Sequence, residues 1–124
     1  MLTIASTLTH TPRLSLATIV TAILGPDYDL TVVFIGSQRA RTLNQTHRGK
    51  SYVPNVLSFP LSETHGEIYL CPEVAKKEAA NFSLSPKGYL TYLVIHGALH
   101  LAGYDHGTDM DTAEQQYLQR YNIC

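Results

Sequence analysis

Short β-branched runs alternate with longer stretches of helical period along this chain, and their order predicts the fold. Leu2 to Leu8 is short, partly β-branched and bounded by polar residues, which predicts a strand. Pro12 opens a helical stretch with apolar positions Leu14, Leu16, Ala17, Ile19, Val20 and Ile23, and Gly25-Pro26 closes it. Leu30 to Ile35 is a continuous apolar run, long enough for a buried strand and too short for a helix. Gly36-Ser37 supplies a turn and an N-cap for a polar helix through about Thr46. Asn55 to Pro60 and Gly66 to Cys71 read as two more strands, and Ser62, Glu63 and Thr64 between them suit a turn.

The second half is mostly helical. Pro72-Glu73 and Ser85-Pro86 each place proline where a first helical turn tolerates it. In the second of these helices Leu90, Leu93, Val94, Gly97, Ala98 and Leu101 predict one core face, with Tyr92, His96 and His100 on the neighbouring one. Gly103 is a left-handed stop. Thr108 with Asp111 resembles a cap for a last amphipathic helix ending near Tyr121. The expectation is a single α+β domain over residues 1–124, with a mixed sheet of about four strands packed against helices.

Composition narrows this picture. At 44% hydrophobic and 15% charged, the chain is neither disordered nor fibrous. Only Cys71 and Cys124 are present, so no disulfide framework is expected, and a reducing cytoplasmic setting follows. No basic region precedes an apolar one at the N-terminus, and no apolar stretch is long enough for a bilayer, so no signal peptide or membrane span is expected. The net charge of −1 argues against a general nucleic-acid binder. Its distribution does not: residues 1–62 carry +3 and residues 63–124 carry −4, and four of the first half's five cations lie between Arg39 and Lys50. That cluster reads equally as a solvated helix face or a local basic patch.

The chemistry concentrates in His96-Gly97-Ala98-Leu99-His100-Leu101-Ala102-Gly103-Tyr104-Asp105-His106. A helix stacks His96 and His100 on one face, and the stop at Gly103 lets the chain return His106 to them. Three converging imidazoles with an open fourth position form the catalytic arrangement for one divalent transition metal per chain. Zinc, nickel, cobalt and iron all accept imidazole nitrogens, so the ligands alone do not select one; zinc is the expectation, with nickel as the alternative. Asp105 reads either as a carboxylate holding a ligand imidazole or as a turn cap. The remaining histidines, His10, His47 and His65, read as ordinary packing residues. Cys71 reads as a small apolar strand residue and not as a fourth ligand.

The spacing equals that of the extended zinc-peptidase motif His-Glu-x-x-His-x-x-Gly-x-x-His, which makes the fold expectation zincin-like. Gly97, however, stands where the general-base glutamate would be, so a peptidase would need another base, such as Glu67 or Asp105. A phosphodiester needs instead a metal that acidifies water and a cation for the developing charge, a role suited to arginine.

That cation leads to a family. His47-Arg48-Gly49-Lys50, then Asn55-Val56-Leu57-Ser58-Phe59-Pro60 and Gly66-Glu67-Ile68, together with the histidine motif, resemble the YbeY family of bacterial endoribonucleases. The resemblance runs from about Leu43 to His106. It implies a metal-dependent, single-strand-specific endoribonuclease acting in ribosomal RNA maturation, at the three-prime end of the small-subunit RNA, and in ribosome quality control. It implies His96, His100 and His106 as metal ligands and Arg48 as the functional arginine, with Arg48 and His96 the candidate catalytic residues. Lys50, Arg39 and Arg41 are candidates for attracting the RNA backbone, and ribosome-associated proteins are the implied partners. Ser51-Tyr52-Val53-Pro54 departs from the family's usual pattern at the presumed substrate rim. Two other functions stay open: a zincin-like metallopeptidase, and a non-catalytic ribosome-associated protein whose metal braces the fold. Oligomeric state is not set by the sequence.

Overall fold

The computed structural model describes all of residues 1–124. The elements in order are β1 (Leu2–Ser6), α1 (Ala17–Leu24), β2 (Asp29–Phe34), α2 (Ser37–Arg48), β3 (Val56–Pro60), β4 (His65–Leu70), α3 (Pro72–Glu78), a 3-10 turn (Ala79–Phe82), α4 (Pro86–Leu101) and α5 (Thr108–Arg120). The four strands form one mixed sheet in the order β1-β2-β4-β3. β1 and β4 flank β2 in parallel, and β3 returns antiparallel along β4 as the outer arm of a hairpin, Ser58 opposite Ile68. This is the α+β architecture expected, with the three histidines on a central helix and the turn after it.

Strand alternation divides the sheet into two faces. Leu30, Val32, Phe34, Ile68 and Leu70 point to one side, where they meet Val20 of α1, Ala75 of α3, and Leu90, Leu93, Val94 and Ala98 of α4. Val33 and Tyr69 point to the other side, toward Ile35, Ala40 and Leu43. α5 closes the outside of α4 through Met110 and Ala113 against Ile95 and Leu99. α4 is therefore buried on nearly every side, from Gly88 to Leu99, with only Tyr92 and His96 partly open in that span. A single core face was expected. The wider burial follows from the helix's place between the sheet, α1, α3 and α5.

Several boundaries move for identifiable reasons. α1 begins at Ala17, not Pro12, because the preceding segment buries alternate residues (Pro12, Leu14, Leu16), the period of extended chain. The caps of α2 and α5 are Gly36 and Gly107, not Ser37 and Thr108, which are the first helical residues and cap nothing with their side chains. The Ser37 hydroxyl instead donates to the Glu73 carboxylate and ties α2 to α3. Ser85 does cap α4, accepting from the Gly88 amide at 3.0 Å.

Asn55, at the start of β3, is fixed by a small polar network. Its amide donates to Glu78 at 3.0 Å and to the Tyr89 hydroxyl at 3.3 Å, and Tyr89 donates to Glu78 at 3.1 Å. Burial, with the Glu78 carboxylate, pushes the Tyr89 phenol up to about 12, and burial with Glu114 does the same at Tyr92. A raised folded-state pKa means the fold holds these protons more tightly than the unfolded chain does, whose tyrosines titrate near pH 10. Their contribution to stability is complete below about pH 10 and is lost as pH rises toward 12. Ultraviolet titration of the eight tyrosines is expected to show two phenolates emerging near pH 12, with melting temperature falling over the same interval and less steeply in Tyr89→Phe. All eight titrating near pH 10 in the folded protein would contradict this.

Candidate metal centre

The site is built from one helix, one turn and one strand edge. His96 and His100 lie a helical turn apart on α4, their ring centroids 4.7 Å apart. Past the helix, Gly103 takes φ +105 and Gly107 φ +154, conformations that side chains disfavour, and between them the chain reverses. The reversal puts the His106 ring 4.5 Å from that of His100 and 5.2 Å from that of His96. One nitrogen from each ring lies within 4.8 Å of the others, a set able to hold a metal ion.

The other ring nitrogens explain why the set fits a metal. The Glu114 carboxylate sits 2.6 Å from His96 Nδ1, and a carboxylate accepts only from an N–H, so in the neutral ring Nε2 carries the lone pair. The Tyr104 carbonyl lies 3.1 Å from His100 Nδ1 and does the same there. The His100 pKa is lowered by burial first and by the neighbouring His96 second, against a smaller upward pull from the Tyr104 carbonyl. An imidazole so held keeps its lone pair free, as a metal ligand must.

Glu114 is the residue that sequence reasoning missed. It lies on α5, 4% exposed, and its second oxygen accepts from the Tyr92 hydroxyl at 3.3 Å. A signal was present: Glu114 falls in register with Met110, Ala113, Tyr117 and Leu118, a carboxylate within an apolar helix face. Asp105, which the sequence offers either as an imidazole holder or as a turn cap, is exposed and makes no hydrogen bond to any of the three rings. Cys71 is buried beside Ile35 and Ala40, apart from the histidines.

A cavity of about 310 Å³ opens over the histidines, lined by Arg48, Val56, Leu57, Ser58, His96, His100 and His106. Arg48 ends α2, where Gly49 turns the chain in a left-handed cap, and its guanidinium makes no hydrogen bond or ion pair within the chain. Lys50, Arg39 and Arg41 are exposed and do not line this cavity. Neither does any carboxylate. Glu67 belongs to the other face of the sheet, hydrogen-bonded by Tyr69, since the alternation that aims Ile68 at α4 aims Glu67 away. A larger cavity, about 610 Å³, lies elsewhere, between α5 and the segment from Phe82 to Tyr92, and has no basic residue in its lining.

Gly97 has a packing reason. A Cβ there would stand 2.6 Å from Ser58 Oγ and 2.9 Å from Ile68 Cδ1, so any side chain at this position must displace both. The glutamate of the peptidase motif would have to push these two groups aside.

Comparison with known proteins agrees with this geometry. The family model described as Endoribonuclease YbeY matches residues 7–122. A Paraburkholderia phytofirmans protein named Endoribonuclease YbeY is 37% identical over 87% of this chain and 74% of its own. A Neisseria meningitidis serogroup B protein of the same name is 40% identical over 69% of this chain and 57% of its own. The solution structure of a Thermotoga maritima target protein superposes with a TM-score of 0.66, at 26% identity, covering 98% of this chain and 92% of that one.

Two substitutions test the construction. Gly97→Glu is expected to cost about 3 kcal/mol or more, since it overpacks the hairpin and buries a charge; an unchanged denaturant midpoint would contradict the close approach. Glu114→Gln is expected to weaken metal binding by about 10- to 100-fold in a chelator competition, the usual effect of losing a carboxylate behind a ligand histidine. Wild-type affinity in that variant would show that Glu114 does not orient His96.

Proposed function

The chain belongs to the endoribonuclease YbeY family, and on that premise we propose that it is a metal-dependent, single-strand-specific endoribonuclease of ribosomal RNA maturation and ribosome quality control. The observation that carries this reading is the pairing of three imidazoles with an unengaged arginine across one cavity that holds no carboxylate. Such a site attracts an anion and offers a peptide no general base. A peptidase role loses its support here, because Gly97 carries no base and neither Glu67 nor Asp105 lines the cavity over the histidines. No helix is long and apolar enough to cross a membrane.

His96, His100 and His106 would hold the metal, with Glu114 and the Tyr104 carbonyl keeping two of the rings oriented. A divalent ion held by them would supply Lewis acidity, able to polarise a phosphoryl oxygen and to acidify water as nucleophile or base. Arg48 binds the scissile phosphate, since a guanidinium matches two phosphate oxygens at once and keeps its charge at any working pH. As negative charge builds on the phosphoryl oxygens in the transition state, the Arg48 guanidinium neutralises it. The Ser58 hydroxyl stands on the cavity wall between them and can donate to the same phosphate. Lys50 lies just beyond Arg48, and Arg39 and Arg41 lie on the same helix, so these attract the RNA backbone at longer range, an effect that weakens as salt rises. Three protein ligands leave a coordination position open, as catalytic sites do and structural ones do not.

Zinc-loaded protein is expected to cleave a single-stranded RNA oligonucleotide and to spare the same strand in a duplex. Chelation and His100→Ala should abolish cleavage, and Arg48→Ala should lower kcat/KM by roughly 100- to 1,000-fold, the scale of losing one preorganised charge contact. Equal rates for all three proteins would identify a contaminating nuclease and sink the assignment.

A further inference from the structure

Arg48 and Ser58 line the cavity, and their chain neighbours His47 and Phe59 lie against each other. Phe59 follows Ser58 on β3, so its side chain points to the opposite face of the sheet from the histidines. The His47 ring packs at 5.1 Å from that of Phe59, tilted by 58°, and Phe59 meets the edge of Tyr69 at 5.7 Å and 71°. The three rings form a strip that begins beside Arg48 and runs over the hairpin from its outer strand, β3, which is an edge of the sheet. His47 is exposed, and Phe59 and Tyr69 are half-buried.

The charge around this strip is positive. α2 carries Arg39, Arg41 and Arg48 and no acidic residue, and Lys50 follows it. Arg39 stands close enough to lower the Tyr69 phenol pKa, against the larger upward effects of burial and Glu67. Glu67 is the one carboxylate of this strip, and it accepts from Tyr69 at 3.2 Å. The acidic groove between α4 and α5, with Asp111 and Glu114 in its wall, has the opposite character and would repel a phosphate chain.

From this juxtaposition we propose that His47 and Phe59 form a stacking platform for the unpaired base next to the phosphate held at Arg48, so that the RNA strand passes over the β3 edge and onto the outer face of the hairpin. The proposal rests on the ribonuclease reading and adds to it the element that selects single strands. A base in a duplex has both faces covered by its neighbours and cannot lie on a protein ring, whereas an unpaired base has a face to offer. Basic side chains track the backbone while rings take the bases, which is the general chemistry of single-strand binding without strict sequence preference. His47 here is a binding residue and takes no part in the bond-breaking step.

The test measures binding apart from cleavage. Zinc-loaded wild type, His47→Ala and His47→Tyr are titrated with an end-labelled 2′-O-methyl phosphorothioate hexamer, which resists hydrolysis, and with the same strand in a duplex. Loss of one stacked base corresponds to roughly a 5- to 150-fold rise in Kd. His47→Ala is expected to show a rise of about tenfold on the single strand. His47→Tyr, which restores a ring without a basic group, should return Kd to within about twofold of wild type, and duplex binding should be the same for all three. An abasic site beside the central phosphate should weaken wild type but not weaken His47→Ala further. Wild-type affinity in His47→Ala, or failure of the tyrosine to rescue, overturns the platform. Cleavage of unmodified RNA is scored separately. Cleavage without any effect of His47 removes the platform and leaves the enzyme; His47-dependent binding with no cleavage by wild type removes the enzyme and leaves the platform.

Discussion

The close approach of α4 to the β3–β4 hairpin at Gly97 is the constraint on which the rest of the site depends. With no side chain at that position the helix settles directly against Ser58 and Ile68. His96 and His100, on either side of Gly97 in sequence, are thereby set at the level of β3, and the cavity above them is walled by Val56 and Ser58. Because β3 is an edge strand, the far wall can be supplied by the end of α2, which brings in Arg48. A larger residue at position 97 would have to displace the Ser58 hydroxyl on the cavity wall and the buried Ile68 side chain. Since interiors pack as densely as organic crystals, that displacement would not be absorbed locally.

The electrostatic design follows from what surrounds this cavity. Its only charged side chain is Arg48, and its only hydroxyl is Ser58. The carboxylate hydrogen-bonded to an imidazole, Glu114, lies on α5 and is engaged by His96 and Tyr92 together. Negative charge is thus spent on orienting a ligand ring, and positive charge faces the open side. A phosphodiester fits that polarity, and none of the acidic residues of the second half, Glu114 and Asp111 on α5 included, lines the cavity.

Much of this was legible in the sequence because it rests on local period. The three histidines, the helix that carries two of them and the glycine stop all follow from spacing within eleven residues. Arg48 required the longer pattern through Pro60. Glu114 was not found, although its place in an apolar register was a visible signal, because its partner lies eighteen residues away. Asp105 stands next to His106 in sequence and reads equally as an imidazole holder or a turn cap; in the fold it is exposed and bonds none of the rings. The insertion of β4 between β2 and β3 is a long-range pairing with no local signature. The start of α1 was misplaced by five residues, because Leu14 and Leu16 fit a helical and an extended pattern alike, and the fold chose the extended one.

The central claim is that the three imidazoles and Arg48 grip one phosphate from opposite sides. The most direct measurement is an anomalous-diffraction map from crystals of the zinc-loaded protein grown with a short uncleavable RNA analogue. One zinc peak at the Nε2 atoms of His96 and His100 and a nitrogen of His106, with a phosphate between it and the Arg48 guanidinium, is the predicted result. A zinc peak at another place, or a phosphate bound away from Arg48, would contradict it.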